Sequence, residues 1–370
     1  MKINWFKPTF LTKMEIDMPH LVSVLKNQLT QIQVDENKKI LKTILDFFEK
    51  NDFSLLSSQE IYFLKNLKED IWADYLIFRY KFNFYPKLHI VSDFPNYISI
   101  EPVSACNLRC VMCYQSDNTF TGDQTFMGMM KLDLFKKIID EASSNGTKAI
   151  TLASRGEPTL HPQLSEMLEY CSGKFLEIKL NTNATKLTEK LIHKILQSGI
   201  TDIVFSVDSY TKENYEKIRL KGIFDEVLNN IKKFKEIKDT FYPDLKIATR
   251  VSGVQVDKTQ DPELFKNFWE KHVDHVVMVP MSPWWDTYNN STSIAGKDTC
   301  GFLWQRINIW YDGKCNPCDT DYKSSLCVGD LNENSIKEIW HSEKYTKIRD
   351  MHLTKNRQNC YPCDRCPFES

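Results

Sequence analysis

From Tyr97 onward, short β-branched runs alternate with amphipathic helical stretches, and this alternation limits the fold more than any other feature of the chain. The runs read YISIEPVS, KAITLAS, EIKLNTN, DIVFSVDS, LKIATRVSG and HVVMVP, with stretches such as KLDLFKKIIDEASSNG and LTEKLIHKILQSG between them. Strands that alternate with helices pair in parallel, because each helix returns the chain to the edge where the next strand begins. Six such units predict an α/β protein built on a partial (β/α)6 TIM-like barrel, in preference to an open doubly wound sheet. In both architectures the loops at the C-terminal ends of the strands converge, so binding and catalytic groups are expected there.

The flanking regions have a different texture. Residues 1–95 carry helical spacing in HLVSVLKNQLTQIQ, NKKILKTILDFFEKN and SQEIYFLKNLKEDIWADYLIFRYKF. They predict a helical N-terminal extension whose apolar stripes serve packing rather than binding. The barrel is expected over 96–297. Residues 298–370 lose the alternation, hold one helical stretch (SIKEIWHSEKYTKIRDMH) and read as a small cysteine-rich module.

With 48 Lys and Arg against 49 Asp and Glu, the formal charge of -1 supplies no field for nucleic acid or an anionic membrane surface. The N-terminus lacks a basic segment followed by an apolar one, and no apolar run reaches membrane-spanning length, so a cytoplasmic protein is expected. The cysteines number 11: three lie between 106 and 113, seven between 300 and 366, and Cys171 stands alone as a small buried apolar residue. Without an export signal, clustered thiols point to metal sites rather than disulfides.

The first cluster, in EPVSACNLRCVMCYQ, places Cys106, Cys110 and Cys113 at C-x3-C-x2-C just after the first strand. Thiolates suit zinc and iron–sulfur clusters alike. Zinc wants a fourth ligand from the chain, whereas a [4Fe–4S] cluster held by three thiolates keeps one iron open. CNLRCVMC followed by an aromatic resembles the signature of the radical S-adenosylmethionine (radical SAM) superfamily. The resemblance implies an open iron that binds the methionine end of S-adenosylmethionine. It also implies reductive cleavage to a 5'-deoxyadenosyl radical, which abstracts hydrogen from a substrate.

Later strand ends extend the resemblance. LASRGEPTLHP is similar to the family's GGEP-like motif, with Arg155 in place of the first glycine; Gly156 gives close backbone approach and Glu157 an acceptor for the methionine ammonium. LNTNAT resembles the TNG segment and presents Thr182 and Asn183, with Ala184 where glycine is usual. FSVDSYTKENYEKIR resembles the SxDG segment: Ser206 and Asp208 are implied at the ribose and Arg219 at the methionine carboxylate, although Arg219 could instead be a surface helix residue paired with Glu216 or another acid. Arg250, at the end of the fifth strand, is a further candidate. Trp284 and Trp285, after the sixth, are candidate walls of a substrate pocket.

In the C-terminal stretch, Cys300, Gly313 and Cys318 obey C-x12-G-x4-C. With the closing CYPCDRC this resembles SPASM and the shorter twitch modules, which hold auxiliary [4Fe–4S] clusters on four thiolates. The departure from the full pattern, C-x2-C-x2-C at Cys360, Cys363 and Cys366, leaves one auxiliary cluster on Cys300, Cys318, Cys363 and Cys366. Cys360 and Cys315 compete for a ligand place, and a zinc module that docks a protein is the other reading.

The resemblance implies an oxidoreductase-type radical SAM enzyme served by a reducing donor such as flavodoxin or ferredoxin. An auxiliary cluster able to accept an electron makes net oxidation the simplest outcome, with rearrangement beside it. A small polar metabolite such as a sugar or sugar nucleotide is the expected substrate, because no strand-containing N-terminal domain for leader peptides is visible. A peptide or protein substrate is the alternative, and a non-catalytic iron–sulfur or zinc scaffold is a third. No residue is singled out as a catalytic acid, base or hydrogen donor.

Overall fold

The computed structural model describes residues 16–296 and 298–368, apart from the side chains of Ser58, Gln59, Trp284 and Trp285. The two tryptophans named as candidate pocket walls thus lie outside the described residues, as does Lys297 at the expected module boundary. The chain forms two compact units, one ending at Leu88 and one running from His89.

The first unit contains α1 (Met18–Leu29), α2 (Asp35–Glu49), α3 (Ser58–Asn66) and α4 (Trp72–Leu88). α1, α2 and α4 touch one another, and their stripes are spent there: Leu21 and Leu25, then Leu41, Ile44 and Phe48, then Tyr75 and Phe78 are all buried. The third helical stretch breaks in two at a 3-10 turn, Glu69–Ile71. The Trp72 indole N–H bridges the break to the Leu64 carbonyl at 2.9 Å.

The second unit is built on β1 (Tyr97–Ile100), β2 (Arg109–Cys110), β3 (Ala149–Leu152), β4 (Glu177–Thr182), β5 (Asp202–Ser206), β6 (Arg219–Leu220), β7 (Ala248–Gln255), β8 (His275–Pro280), β9 (Arg306–Ile309), β10 (Lys314–Asn316) and β11 (Gly329–Asp330). Nine of them form one sheet in the order β11-β10-β9-β1-β3-β4-β5-β7-β8. The six expected strands are β1, β3, β4, β5, β7 and β8, all parallel. They follow one another in chain order. A doubly wound sheet reverses its strand order part-way, so this succession is that of a partial barrel.

Strands from residues 306–330 continue this sheet. β9 pairs in parallel with β1, Tyr97 opposite Arg306 and Ile100 opposite Ile309, and β10 and β11 follow antiparallel. Ile307 and Ile309 are fully buried, which gives the free edge of β1 a reason to take a seventh strand. The helical stretch that follows divides into Ile336–Trp340 and Glu343–Leu353, each opened by a serine cap, Ser335 and Ser342.

The pleat sorts the sheet's two faces. Ile98, Ile100, Ile150, Leu152, Ile178 and Leu180 enter the core cluster with helix residues such as Ile138, Met167 and Ile195. Their alternates, including Ser99, Thr151, Asn181 and Ser252, face the other way, toward the barrel interior. Cys171 is fully buried in the same core. Among the described residues no helix is long and apolar enough to cross a membrane.

Candidate active site

The loop after β1 carries the first three thiols, and a two-strand ribbon fixes it. β2 pairs antiparallel with β6, Cys110 opposite Arg219, and the Val111 amide donates to the Ile218 carbonyl at 3.0 Å. The Arg109 guanidinium donates to the carbonyls of Cys106 and Leu108, both at 2.8 Å, which holds the turn between the first two cysteines. Cys106 Sγ accepts from the Leu108 amide at 3.4 Å and Cys113 Sγ from the Gln115 amide at 3.5 Å. Leu108, Met112 and Ile218 close over the sulfurs. Burial pushes the Cys106 and Cys113 thiols up and Cys110 to about 11. Thiolates here therefore require a cationic partner such as iron.

Thiolates that share one zinc ion sit about 4 Å apart, since each lies ~2.3 Å from the metal. Among the described residues the trio whose ligand atoms all come within 4.8 Å of one another is His352, Cys360 and Cys363. The first clip is wider than that, which fits a multi-iron cluster better than one ion.

The loop after β3 presses on the chain that leads into the clip. A Cβ at Gly156 would lie 2.1 Å from the Val103 carbonyl oxygen and 2.5 Å from that of Ala105, so only glycine fits. The Glu157 amide donates to the Ala105 carbonyl at 2.9 Å. Glu157 Oε1 accepts from the Thr159 amide at 3.1 Å and from the Thr159 and Thr182 hydroxyls, both at 2.6 Å; Oε2 accepts from the Asn183 amide at 2.7 Å. Burial nonetheless pushes the Glu157 carboxyl up against these bonds, so an ammonium at Oε2 would be well received. Asn183 Nδ2 lies 3.8 Å from Cys106 Sγ. The structure thus gathers Gly156, Glu157, Thr182 and Asn183 beside the first cysteine. Ala184 takes φ +61°, the left-handed backbone that explains glycine at this place in the resembled motif.

The loop after β5 is arranged differently from expectation. Ser206 closes β5, half-buried. Arg219 pairs with neither Glu216 nor an open site: its Nε lies 2.7 Å from Asp208 Oδ2, with both side chains buried. At this distance between opposite charges the contact is an ion pair. Asp208 Oδ1 accepts from the Val254 amide at 2.8 Å. Against the pull of burial, Asp208 and the neighbouring Cys110 raise the Arg219 guanidinium above its usual range. Arg250 is the third residue of β7, which runs on to Gln255, so it lies near the start of its strand rather than at its end.

Sequence reasoning missed Arg155. Its guanidinium forms a two-pronged pair with Glu101, both bonds 2.6 Å, and donates to the Tyr322 carbonyl at 2.9 Å. It also covers the Trp310 ring at 4.3 Å. Gln115 Nε2 donates to the carbonyls of Ser104 (2.8 Å) and Arg155. The one signal in the sequence was the replacement of a motif glycine by a large cation.

The C-terminal thiols surround a second centre. Cys300, Cys318, Cys363 and Cys366 line one cavity together with His352 and Arg357. The Arg357 guanidinium donates to the carbonyls of Cys363 at 3.0 Å and Cys366 at 2.7 Å, the same stapling that Arg109 performs in the first loop. Burial pushes Cys300 to about 11 and Cys318 and Cys366 upward, while the neighbouring Cys360, with burial second, raises Cys363. Four thiols around one cavity fit a closed iron–sulfur cluster. Cys360 does not line it, and the neighbouring Cys363 holds the Cys360 thiol below its usual range. Cys315 is buried in the sheet core and Cys327 is half-buried beside Gly329.

Comparison with known proteins accords with this geometry. Residues 100–276 match the model of the Radical SAM superfamily, and 300–367 match the SPASM iron-sulfur cluster-binding domain. The chain is 26% identical over 325 residues to the tungsten-containing aldehyde ferredoxin oxidoreductase cofactor-modifying protein of Pyrococcus furiosus, covering 74% of this chain and 89% of that one. It is 28% identical over 332 residues to the AdoMet-dependent heme synthase of Methanosarcina barkeri, covering 75% and 90%. Among solved structures, Streptococcus suis SuiB bound to its precursor peptide SuiA superposes with a TM-score of 0.58 at 15% identity, over 80% of this chain and 76% of that one, a likeness of fold.

Proposed function

The chain belongs to the radical SAM superfamily and carries a C-terminal SPASM domain, and from that premise we propose that it oxidises a small polar molecule by hydrogen abstraction. Its cofactors are a [4Fe–4S] cluster, S-adenosylmethionine and an auxiliary iron–sulfur cluster. When bound, they supply one-electron cleavage of a carbon–sulfur bond and homolytic removal of hydrogen. A low-potential donor such as flavodoxin or ferredoxin would feed the first centre.

In this proposal Cys106, Cys110 and Cys113 hold the first cluster. Glu157 Oε2 receives the methionine ammonium, Thr182 and Asn183 fix that carboxylate, and Ser206 faces the ribose. The Asp208–Arg219 pair keeps β6 against Cys110, so its first task is to position the clip. Cys300, Cys318, Cys363 and Cys366 hold the auxiliary cluster.

The observation that carries the substrate class is the barrel's inner face. Barrel interiors filled by protein alone are lined by Val, Ile and Leu. Here Ser99, Thr151, Asn181 and Ser252 point inward. Such a wall solvates hydroxyl, carboxylate or phosphate groups and offers little to an apolar molecule. The two relatives named for acting in cofactor modification and heme synthesis support a small-molecule substrate. A peptide substrate is the second reading, favoured by the likeness to SuiB with its bound precursor.

Anaerobically reconstituted, reduced protein should cleave S-adenosylmethionine to methionine and 5'-deoxyadenosine; no cleavage overturns the reading. With extract from cells grown in D2O, the small-molecule fraction should place deuterium in the 5'-deoxyadenosine. Deuterium delivered only by the peptide fraction reverses the choice of substrate.

A further inference from the structure

His352 belongs to no motif, yet it lines the four-thiol cavity and is only 3% exposed. The amide N–H of Cys300, itself one of the four thiol residues, donates to His352 Nδ1 at 3.3 Å. A ring nitrogen that accepts carries no proton, so the neutral imidazole bears its proton on Nε2. Nε2 makes no hydrogen bond of standard geometry among the described residues. One ring nitrogen of His352, Cys360 Sγ and Cys363 Sγ lie within 4.8 Å of one another, and Cys363 is the one of these two cysteines that lines the cavity with His352, which makes its sulfur the acceptor at hand.

We propose that His352 is a positioning residue of the auxiliary centre, whose Nε2–H donates to the cluster-bound sulfur of Cys363 and raises the cluster's reduction potential. Reduction adds negative charge to the cluster and its thiolates, and a hydrogen bond to sulfur stabilises the more negative state. Iron ligation by Nε2 is disfavoured by the same geometry. It would move the proton to Nδ1, where it would meet the Cys300 N–H donor to donor. The inference rests on the four thiols holding the auxiliary cluster, and it concerns how readily that cluster takes an electron.

The test uses the full chain with Cys106, Cys110 and Cys113 replaced by Ala, so that EPR reads the auxiliary cluster alone. This parent should hold about four irons. In a redox titration, His352→Leu should lower the midpoint potential by about 59 mV, a tenfold change in a one-electron equilibrium. His352→Gln, whose amide N–H can still donate, should recover part of the shift, with iron content unchanged in both. An unshifted potential in the Leu variant, or iron lost from both variants, overturns the proposal. Should the Leu variant not fold, pulsed EPR of the parent labelled with 15N-histidine decides. A weakly coupled nitrogen supports the hydrogen bond; none, or a ligand-strength coupling, overturns it. A parent without iron removes the premise, and its missing EPR signal separates that failure from a failed proposal.

Discussion

Arg155 replaces a motif glycine with a cation that is buried, doubly paired to Glu101 and bonded to the Tyr322 carbonyl. Removing one partner of a buried pair leaves an uncompensated charge, which costs about 3–5 kcal/mol, whereas replacing both can be nearly neutral. Arg155→Met should therefore lower stability by that amount, and Arg155→Met with Glu101→Gln should recover most of it. Denaturant melts of the two singles and the double measure the coupling, and additive losses would remove the strut from the account. None of this could be read from the chain, because Arg155 and Glu101 stand 54 residues apart and only the β1–β3 register brings them together. The cysteine spacing, Gly156, Glu157 and Asn183 were legible for the opposite reason: each sits in a short local motif whose chemistry is written in consecutive residues. His352 lay hidden, since its partner Cys300 is 52 residues away.

Among the elements, the six barrel strands could be read because each is a β-branched run followed by an amphipathic helix. β2 and β6 could not, since two residues apiece show no period. β9 has four residues and sits among cysteines and turns, so its place on the edge of β1 is set by tertiary pairing. The β2–β6 ribbon matters despite its size, because it ties Cys110 to Arg219 and thereby to Asp208. Asp208→Asn strips the counter-charge from a buried guanidinium, at a cost of about 3–5 kcal/mol in iron-free protein. Once the first cluster is bound, the Cys110 thiolate offsets part of the Arg219 charge, and the loss should shrink. Thermal melts with and without iron compare the two, and an equal loss in both states would mean that Arg219 does not feel the clip.

Across the second unit, the two thiol sites are joined by packed rings and backbone. Tyr114, next to Cys113, stacks on Tyr322 with centroids 4.9 Å apart, and Tyr322 meets Tyr288 at 4.9 Å, which in turn meets Tyr361 beside the C-terminal thiols at 5.8 Å. The Arg155 bond to the Tyr322 carbonyl pins this column to the glycine–glutamate loop. Such a frame keeps the second site at a fixed setting from the first while leaving the first clip's own supports, Arg109 and the β2–β6 ribbon, independent of it. That independence separates two roles for the auxiliary cluster. If it takes the electron left on the substrate, Cys318→Ala should cut iron from about eight to about four per chain. S-adenosylmethionine cleavage should then continue while oxidised product disappears, so that 5'-deoxyadenosine accumulates without turnover. Cys110→Ala, by contrast, should abolish cleavage outright. Iron assay and product quantitation on the two variants read these outcomes side by side. If Cys318→Ala loses cleavage as completely as Cys110→Ala, the second site acts by holding the frame together rather than by accepting an electron.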